Sequence, residues 1–236
     1  MKKTYCKMKR ITHYFAVILF ASMTMLVAGC GKDDAESDNA SDEWVDLGLP
    51  SGLLWAKCNV GASSPEDYGD YFAWGETQAK SDYSWETYRY SKGDNYQLTK
   101  YCYNKYYGYN EFTDSLTTLL PDDDAAAANV TGSRMPTRDD WKELLNNTTS
   151  QWTTINDING RIFTGPNGKT IFLPAAGGRW GDEFSDVGSS GGYWSSSLSD
   201  DRPDHAGGFG FSSDDMIHGI SDRNIGYPVR PVRSSH

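Results

Sequence analysis

The stretch GLLWAKCNVGASSPEDYGDYFAWGE, residues 52–76, combines short β-prone runs with turns that contain glycine and proline. Its first run, Leu53–Trp55, follows the turn Pro50–Gly52, and a second run, Trp44–Leu49, precedes that turn. Two β-prone runs on either side of a short turn predict a hairpin. The stretch therefore indicates a domain built from short strands and turns.

Outside this stretch, β-prone runs continue to alternate with turns and polar segments. One pair of runs flanks the turn Gly165–Gly168 and predicts a second hairpin. The runs are Arg161–Thr164, Thr170–Leu173, Tyr193–Leu198, Gly207–Phe211 and Pro228–Arg233.

Helix signals are few. Ser64–Asp67 places a proline at the first helical position and predicts a short helix that Gly69 ends. Thr137–Asp140 has the pattern of a capping box and precedes an apolar helical face. A third, brief helix is predicted where Asp122–Asp124 precede four alanines. Together with the strands, these signals predict an α+β fold with a minority of helix.

Five motifs, in this order, carry a family resemblance: residues 52–76, SRMPTRDDWKELL, IFLPAAGGR, GYWSSS and VRPVR. They resemble the Fibrobacter succinogenes major paralogous domain, akin to DUF1566-like domains, over about residues 44–233. The resemblance implies one loop-rich domain, 44–236, with a C-type-lectin-like (sulfatase-modifying-factor-like) fold. In such folds the chain ends pair, so Trp44–Leu47 is expected near Val229–Arg233. The resemblance implies no particular reaction.

The first 29 residues predict an export signal. Basic residues up to Arg10 precede the apolar run Tyr14–Ala28, which is shorter than the ~20 residues of a bilayer-spanning helix. Val27–Gly29, directly before a cysteine, resemble a bacterial lipobox, which implies cleavage before Cys30 and lipidation of Cys30. Stable anchoring needs more than one acyl chain, and a multiply acylated Cys30 would supply them.

Residues 30–43 form a polar, acidic segment, for which we expect a flexible tether. Lys32, Asp33 and Asp34 resemble the surface-export signal of Bacteroidetes lipoproteins, although a solvated linker has the same composition. We therefore expect a lipid-anchored protein of the outer membrane that faces the cell exterior.

The chain is acidic, with a formal net charge of −10, and removal of the basic signal peptide makes it more acidic. Such a charge repels nucleic acid and anionic lipid head groups, so neither is expected as a partner.

Two cysteines follow Cys30 in the mature chain, Cys58 and Cys102. Export to an oxidising compartment permits a disulfide between them, but two buried free thiols fit the sequence equally. No CxxC or HxxxH pair accompanies them, which disfavours zinc.

Chemistry-bearing residues are sparse, and no catalytic residue is predicted. The mature chain holds His205, His218 and His236, which we interpret as surface or loop residues. Acidic clusters could supply oxygen ligands to calcium, but solvated acidic loops are the simpler interpretation, so no cofactor is expected. The clusters are Asp182–Asp186, Asp200–Asp204 and Asp214–Asp215.

Tyrosines concentrate between Tyr83 and Tyr109, a stretch without clean periodicity. Tyrosine rings suit sugar stacking and protein interfaces, although they could instead fill a core beneath the loop. The predicted ligand contacts are Tyr88, Tyr90, Tyr101, Tyr103, Tyr106, Tyr107 and Tyr109. Trp74, Trp180, Tyr193 and Trp194 lie in or beside the family motifs and are expected to pack internally.

These observations favour a surface-exposed lipoprotein that presents a non-enzymatic recognition module for a glycan or protein ligand. The alternative is a structural or assembly component of the cell envelope, such as a fimbria-like accessory protein.

Overall fold

A computed structural model describes residues 43–235 of the chain. Residues 1–42 and His236 lie outside the described residues. The predicted signal peptide, the lipidation site Cys30 and nearly all of the tether therefore stay predictions.

Within residues 43–235 the chain forms thirteen short strands, two short α-helices and two single-turn 3-10 helices. The strands are β1 Trp44–Asp46, β2 Leu54–Ala56, β3 Tyr71–Phe72, β4 Thr149–Ile155, β5 Ile158–Thr164, β6 Thr170–Pro174, β7 Gly178–Trp180, β8 Glu183–Ser185, β9 Ser190–Leu198, β10 His205–Ser212, β11 Met216–Asp222, β12 Tyr227–Pro228 and β13 Val232–Arg233. The helices are α1 Ala125–Asn129 and α2 Arg138–Asn147, and the 3-10 helices are Tyr109–Glu111 and Pro121–Asp123. The fold is mostly β-sheet with few short helices, which is consistent with the predicted loop-rich α+β class. No described helix is long and apolar enough to cross a membrane.

The strands form small antiparallel sheets. Three sheets have three strands each, in the orders β1-β2-β13, β4-β5-β6 and β11-β10-β9, and two pairs join β12 to β3 and β7 to β8. Most neighbours in these sheets are also neighbours in sequence, but β13 and β12 return from the end of the chain to pair with β2 and β3.

The sheet that joins the two ends of the domain confirms the first predicted hairpin. The amide of Gly52 donates to the carbonyl of Leu49 at 2.9 Å and closes the turn, and Val45 pairs with Trp55. The last strand pairs with β2, where Val232 lies opposite Trp55. The expected pairing of Trp44–Leu47 near Val229–Arg233 is therefore wrong, because β2, with its fully buried Trp55, lies between β1 and β13 and pairs with both.

The second predicted hairpin is confirmed as β5 and β6. The amide of Gly168 donates to the carbonyl of Gly165 at 2.9 Å, and Phe163 pairs with Ile171. Strand β4, which sequence reasoning missed, pairs along the whole length of β5.

Two of the three predicted helices are confirmed. Thr137 caps α2 with a reciprocal capping box to Asp140, and the carboxylate of Asp124 caps α1. The helix predicted at Ser64–Asp67 is wrong. There the carboxylate of Asp67 accepts from the amides of Ser63 and Ser64, at 3.1 and 3.0 Å, and closes a local loop in place of helical backbone bonds.

The sheet β9-β10-β11 separates two hydrophobic clusters. Side chains alternate across a strand, so Tyr193 belongs to one cluster, with Phe209 and Trp141, and Trp194 belongs to the other, with Trp74. The expected internal packing of Trp74, Tyr193 and Trp194 is confirmed, since all three are fully buried. The expectation for Trp180 is wrong, because its side chain is 41% exposed at the edge of the domain.

A buried arginine in the terminal VRPVR motif ties several elements together. The guanidinium of Arg230 donates to the carbonyls of Ala56 and Phe172, at 3.0 and 2.8 Å, and to the side chain of Asn59 at 2.9 Å. Complete burial lowers the pKa of Arg230 to about 10. The side chain therefore joins β2, β6 and the end of the chain at one point.

Candidate functional site

The tyrosine-rich segment divides into buried and exposed rings. Tyr88, Tyr90 and Tyr101 are 2%, 7% and 0% exposed. The prediction that these three contact a ligand is wrong, because they lie in the core beneath the loop. Their hydroxyl groups make internal hydrogen bonds instead of facing solvent.

The hydroxyls of Tyr90 and Tyr101 both donate to the carboxylate of the buried Asp123, which is also paired with Lys100. Burial alone would raise the pKa of Asp123, but the hydrogen bonds from Lys100, Tyr101 and Tyr90 outweigh it and lower that pKa. Burial raises the pKa of both tyrosines. This cluster is therefore an ionised carboxylate held by neutral hydroxyls and one ammonium group.

A second buried network holds the same segment from below. The guanidinium of Arg223 donates to the hydroxyl of Tyr88 at 2.9 Å and to the carbonyls of Tyr101 and Lys100 at 3.1 and 3.0 Å. The hydroxyl of Tyr88 donates to the carbonyl of Trp74 at 2.7 Å. An arginine from the end of the chain thus fixes the backbone of a loop more than 100 residues earlier.

The remaining predicted tyrosines lie at the surface. Tyr103, Tyr106 and Tyr109 are 37%, 75% and 42% exposed. Tyr107 is half-buried and stacks on the exposed Tyr96 with ring centroids 4.8 Å apart. We call these five residues the tyrosine surface. Its role in ligand contact stays a prediction.

The backbone that carries the tyrosine surface is held by hydrogen bonds. Leu98 donates to the carbonyl of Tyr107 at 2.7 Å and accepts from the amide of Tyr109 at 2.8 Å. The carboxylate of Asp114 accepts from the amides of Tyr101 and Cys102 at 2.7 and 3.1 Å. Rings on a pre-formed loop lose little conformational entropy when they bind a ligand.

Next to this loop lies a compact group of ionisable side chains, Asp204, His205 and Asp222. The buried carboxylate of Asp204 accepts from Arg202 at 2.7 Å and from Asn95 at 2.9 Å, and it lies 3.2 Å from Nδ1 of His205. Burial alone would raise the pKa of Asp204, but these partners outweigh it and lower that pKa.

The Asp204 group differs from the set of six to eight oxygens that calcium takes, since one donor is histidine and one carboxylate is already bonded to protein donors. Among the described residues, the other acidic clusters named from the sequence form no comparable grouping of three ligands. His218 lies exposed in β11, which confirms its interpretation as a surface residue, whereas His205 is half-buried in β10 and is not a loop residue.

The predicted disulfide between Cys58 and Cys102 is wrong. Cys102 is a free, buried thiol whose Sγ donates to the carbonyl of Asn104 at 3.2 Å. Burial raises the pKa of the Cys102 thiol. The residues next to the two cysteines belong to different hydrogen-bond networks. Asn59, beside Cys58, accepts from Arg230, whereas the carbonyl of Tyr101, beside Cys102, accepts from Arg223. Cys6 and Cys30 lie outside the described residues.

A groove on one face of the sheet β9-β10-β11 was not found by sequence reasoning. Its cavity volume is about 330 Å³. In β10 the phenylalanines Phe209 and Phe211 point into the core, so Gly208 and Gly210 present bare backbone on the opposite face. The register places Gly219 of β11 opposite Gly208. We call the space above these three glycines the glycine groove.

The walls of the glycine groove are apolar and its rim is polar. The ring of Tyr227 packs over Gly192 on one side, with the exposed Trp180 against it at 6.0 Å between centroids, and Ile217, 55% exposed, stands on the other side. The polar lining groups are Asp186, Ser190, Ser212, Asp215 and Ser221. The paired glycines in the sequences GGYW and GGFGF are the only hint of this groove in the sequence. The pairing register of β10 with β11 is needed to show which glycines lie on the same face of the sheet.

Comparison with known protein families, curated proteins and solved structures gives no match to this chain.

Proposed function

We propose that this chain is a surface-exposed lipoprotein whose single domain recognises a glycan or protein ligand without transforming it. The supporting observation is the tyrosine surface: exposed aromatic rings on a loop that buried Asp123 and Arg223 networks hold in one conformation. Tyrosine supplies both apolar contact area and a hydroxyl at low entropic cost, which is the chemistry of a recognition surface.

The nearby ionisable groups support binding over catalysis. Asp123 and Asp204 are each engaged by several protein donors, and both have lowered pKa values. A general acid or base needs a pKa near the working pH and access to the substrate, and neither carboxylate has both. Their geometry fits a structural role in fixing the loop.

The position of the domain in the cell follows from the sequence resemblance. Lipidation at Cys30 would tether the domain to the outer membrane, and the acidic segment after it would export it to the exterior. The order of motifs further supports a C-type-lectin-like member of the Fibrobacter succinogenes major paralogous group, and the return of β13 to pair with β2 is compatible with that fold.

The test is binding of the purified, fluorescently labelled chain to intact bacterial and epithelial cells. We expect saturable binding by the wild-type chain and at least tenfold weaker binding by a variant with Tyr103, Tyr106 and Tyr107 replaced by serine. Lys142→Ser, on the exposed face of α2, is the matched control and should bind as the wild type does. Equal binding by the triple variant would refute the proposed contact surface.

The alternative function, an assembly component of the envelope, predicts a different outcome. Crosslinking on the producing cells would then recover envelope proteins, while foreign cells would show no binding that replacement of Tyr103, Tyr106 and Tyr107 reduces.

A further inference from the structure

We propose that the glycine groove is a second, independent binding site that takes a neutral saccharide. No residue of the tyrosine surface lines it. The inference goes beyond the proposed function because it assigns a ligand class to a different face of the domain.

The glycines themselves are the first observation. A Cβ atom at Gly219 would meet only the side chain of Ile217, at 3.8 Å, and one at Gly210 would approach Ile217 no closer than 3.4 Å. Both positions therefore have room for a side chain, and neither has a backbone conformation that demands glycine. Glycine weakens a strand interior, and in strands it often marks a place where a ligand approaches the backbone closely.

Gly192 provides the contrast within the same sheet. A Cβ there would lie 2.4 Å from the ring of Tyr227, so this glycine is required by packing. Gly208 is also required by packing, since a Cβ there would lie 2.9 Å from the carbonyl oxygen of Tyr193, whereas Gly210 and Gly219 have no such internal reason. Their common feature is that they leave bare, flat backbone at the bottom of the groove.

The chemistry of the walls and rim selects the class of ligand. Trp180, Tyr227 and Ile217 offer apolar surface to the non-polar face of a sugar ring, and the serine hydroxyls and the carboxylates of Asp186 and Asp215 can accept from its hydroxyl groups. Among the described residues that line the groove, none is lysine, arginine or histidine. The acidic rim therefore disfavours sulfated, phosphorylated and uronic sugars and favours neutral ones.

A peptide would use this sheet differently. An added peptide strand pairs with the backbone of an edge, which here is the outer side of β11, and it leaves the face of the sheet open. The bare face, walled on both sides, suits a compact ring.

The experiment uses ligand-observed NMR and isothermal titration with the purified chain and a panel of neutral di- to tetrasaccharides of glucose, mannose, xylose, galactose and N-acetylglucosamine. Sulfated heparin disaccharides serve as the anionic comparison. We expect at least one neutral sugar to bind, and Gly210→Val and Gly219→Val to weaken that binding at least tenfold. Gln151→Val, on an exposed position of β4, is the control for adding valine to a strand surface.

Melting temperatures keep the test interpretable. Because a side chain fits at Gly219, the Gly219→Val protein should melt at or above the wild-type temperature. If either valine variant unfolds, Trp180→Ala replaces it in the test, because this substitution removes a wall of the groove and leaves its glycine floor unchanged. The triple tyrosine variant should retain sugar binding, which separates this site from the proposed function. Failure of every neutral sugar to bind, binding of heparin disaccharides alone, or sugar binding unchanged in the groove variants would overturn the proposal.

Discussion

Replacement of Tyr101 by phenylalanine tests whether the buried tyrosines hold the fold. Tyr101 is fully buried, and its hydroxyl donates to the carboxylate of Asp123 and accepts from the amide of Leu120 at 2.9 Å. Phenylalanine keeps the ring and the backbone conformation, so the substitution removes the hydroxyl alone.

The expected loss follows from the bonds removed. A hydrogen bond to a charged group contributes about 1.5–3 kcal/mol, and an amide left partly unsatisfied adds to the loss. We expect Tyr101→Phe to lower the free energy of unfolding by about 2–4 kcal/mol. For a domain of this size that corresponds to a decrease in melting temperature of roughly 4–16 °C.

The matched control is Tyr106→Phe in the same segment. Tyr106 is 75% exposed, and Lys105 lies 5.4 Å from its ring centroid. Changes at such surface positions are usually within about 0.5 kcal/mol. Thermal and urea unfolding followed by near-UV circular dichroism would measure both variants. Similar, small effects of the two substitutions would refute the division of the segment into core and surface.

Three further predictions concern acid stability, the free thiol and the anchor. The pKa values of Asp123 and Asp204 are lowered in the folded state, so the stabilisation from these carboxylates is complete above about pH 4, the ordinary Asp value. This stabilisation is lost as the pH falls from there through the lower folded-state values. The melting temperature should therefore drop below pH 4, and Asp123→Asn should flatten that drop. Iodoacetamide should modify the buried Cys102 only in denaturant, since burial raises its pKa; rapid labelling of the native protein would contradict its burial. Cys30→Ser should abolish incorporation of labelled fatty acid and release the chain from the membrane fraction, and a variant that remains membrane-bound would contradict lipidation at Cys30.

Local signals in the sequence predicted local structure well. The capping box at Thr137 and the carboxylate cap at Asp124 depend on residues within three positions, and both predicted helices form. The turn at Gly165–Gly168 likewise closes its own hairpin. Strands β4 and β11 were missed because TSQWTTI and MIHGISD are largely half-exposed or exposed and lack a clean apolar alternation.

The tyrosine surface and the glycine groove both depend on contacts between distant parts of the chain. The spacing of residues along the sequence does not predict such contacts. Tyr101 and Tyr103 are two residues apart, yet Asp123 and Arg223 bury the first ring and leave the second at the surface. The glycine groove likewise required the strand register, because Gly208 and Gly219 become neighbours only through the pairing of β10 with β11.

The most direct test of recognition by the tyrosine surface is cell binding by the wild-type chain beside the variant with Tyr103, Tyr106 and Tyr107 replaced by serine. The account predicts saturable binding by the wild type, at least a tenfold loss in the variant, and melting temperatures within a few degrees of each other, since Tyr103 and Tyr106 are exposed and Tyr107 is only half-buried. Undiminished binding by the variant would show that these rings do not serve as a contact surface, and a variant that fails to fold would show that they belong to the core and contradict their assignment to the surface.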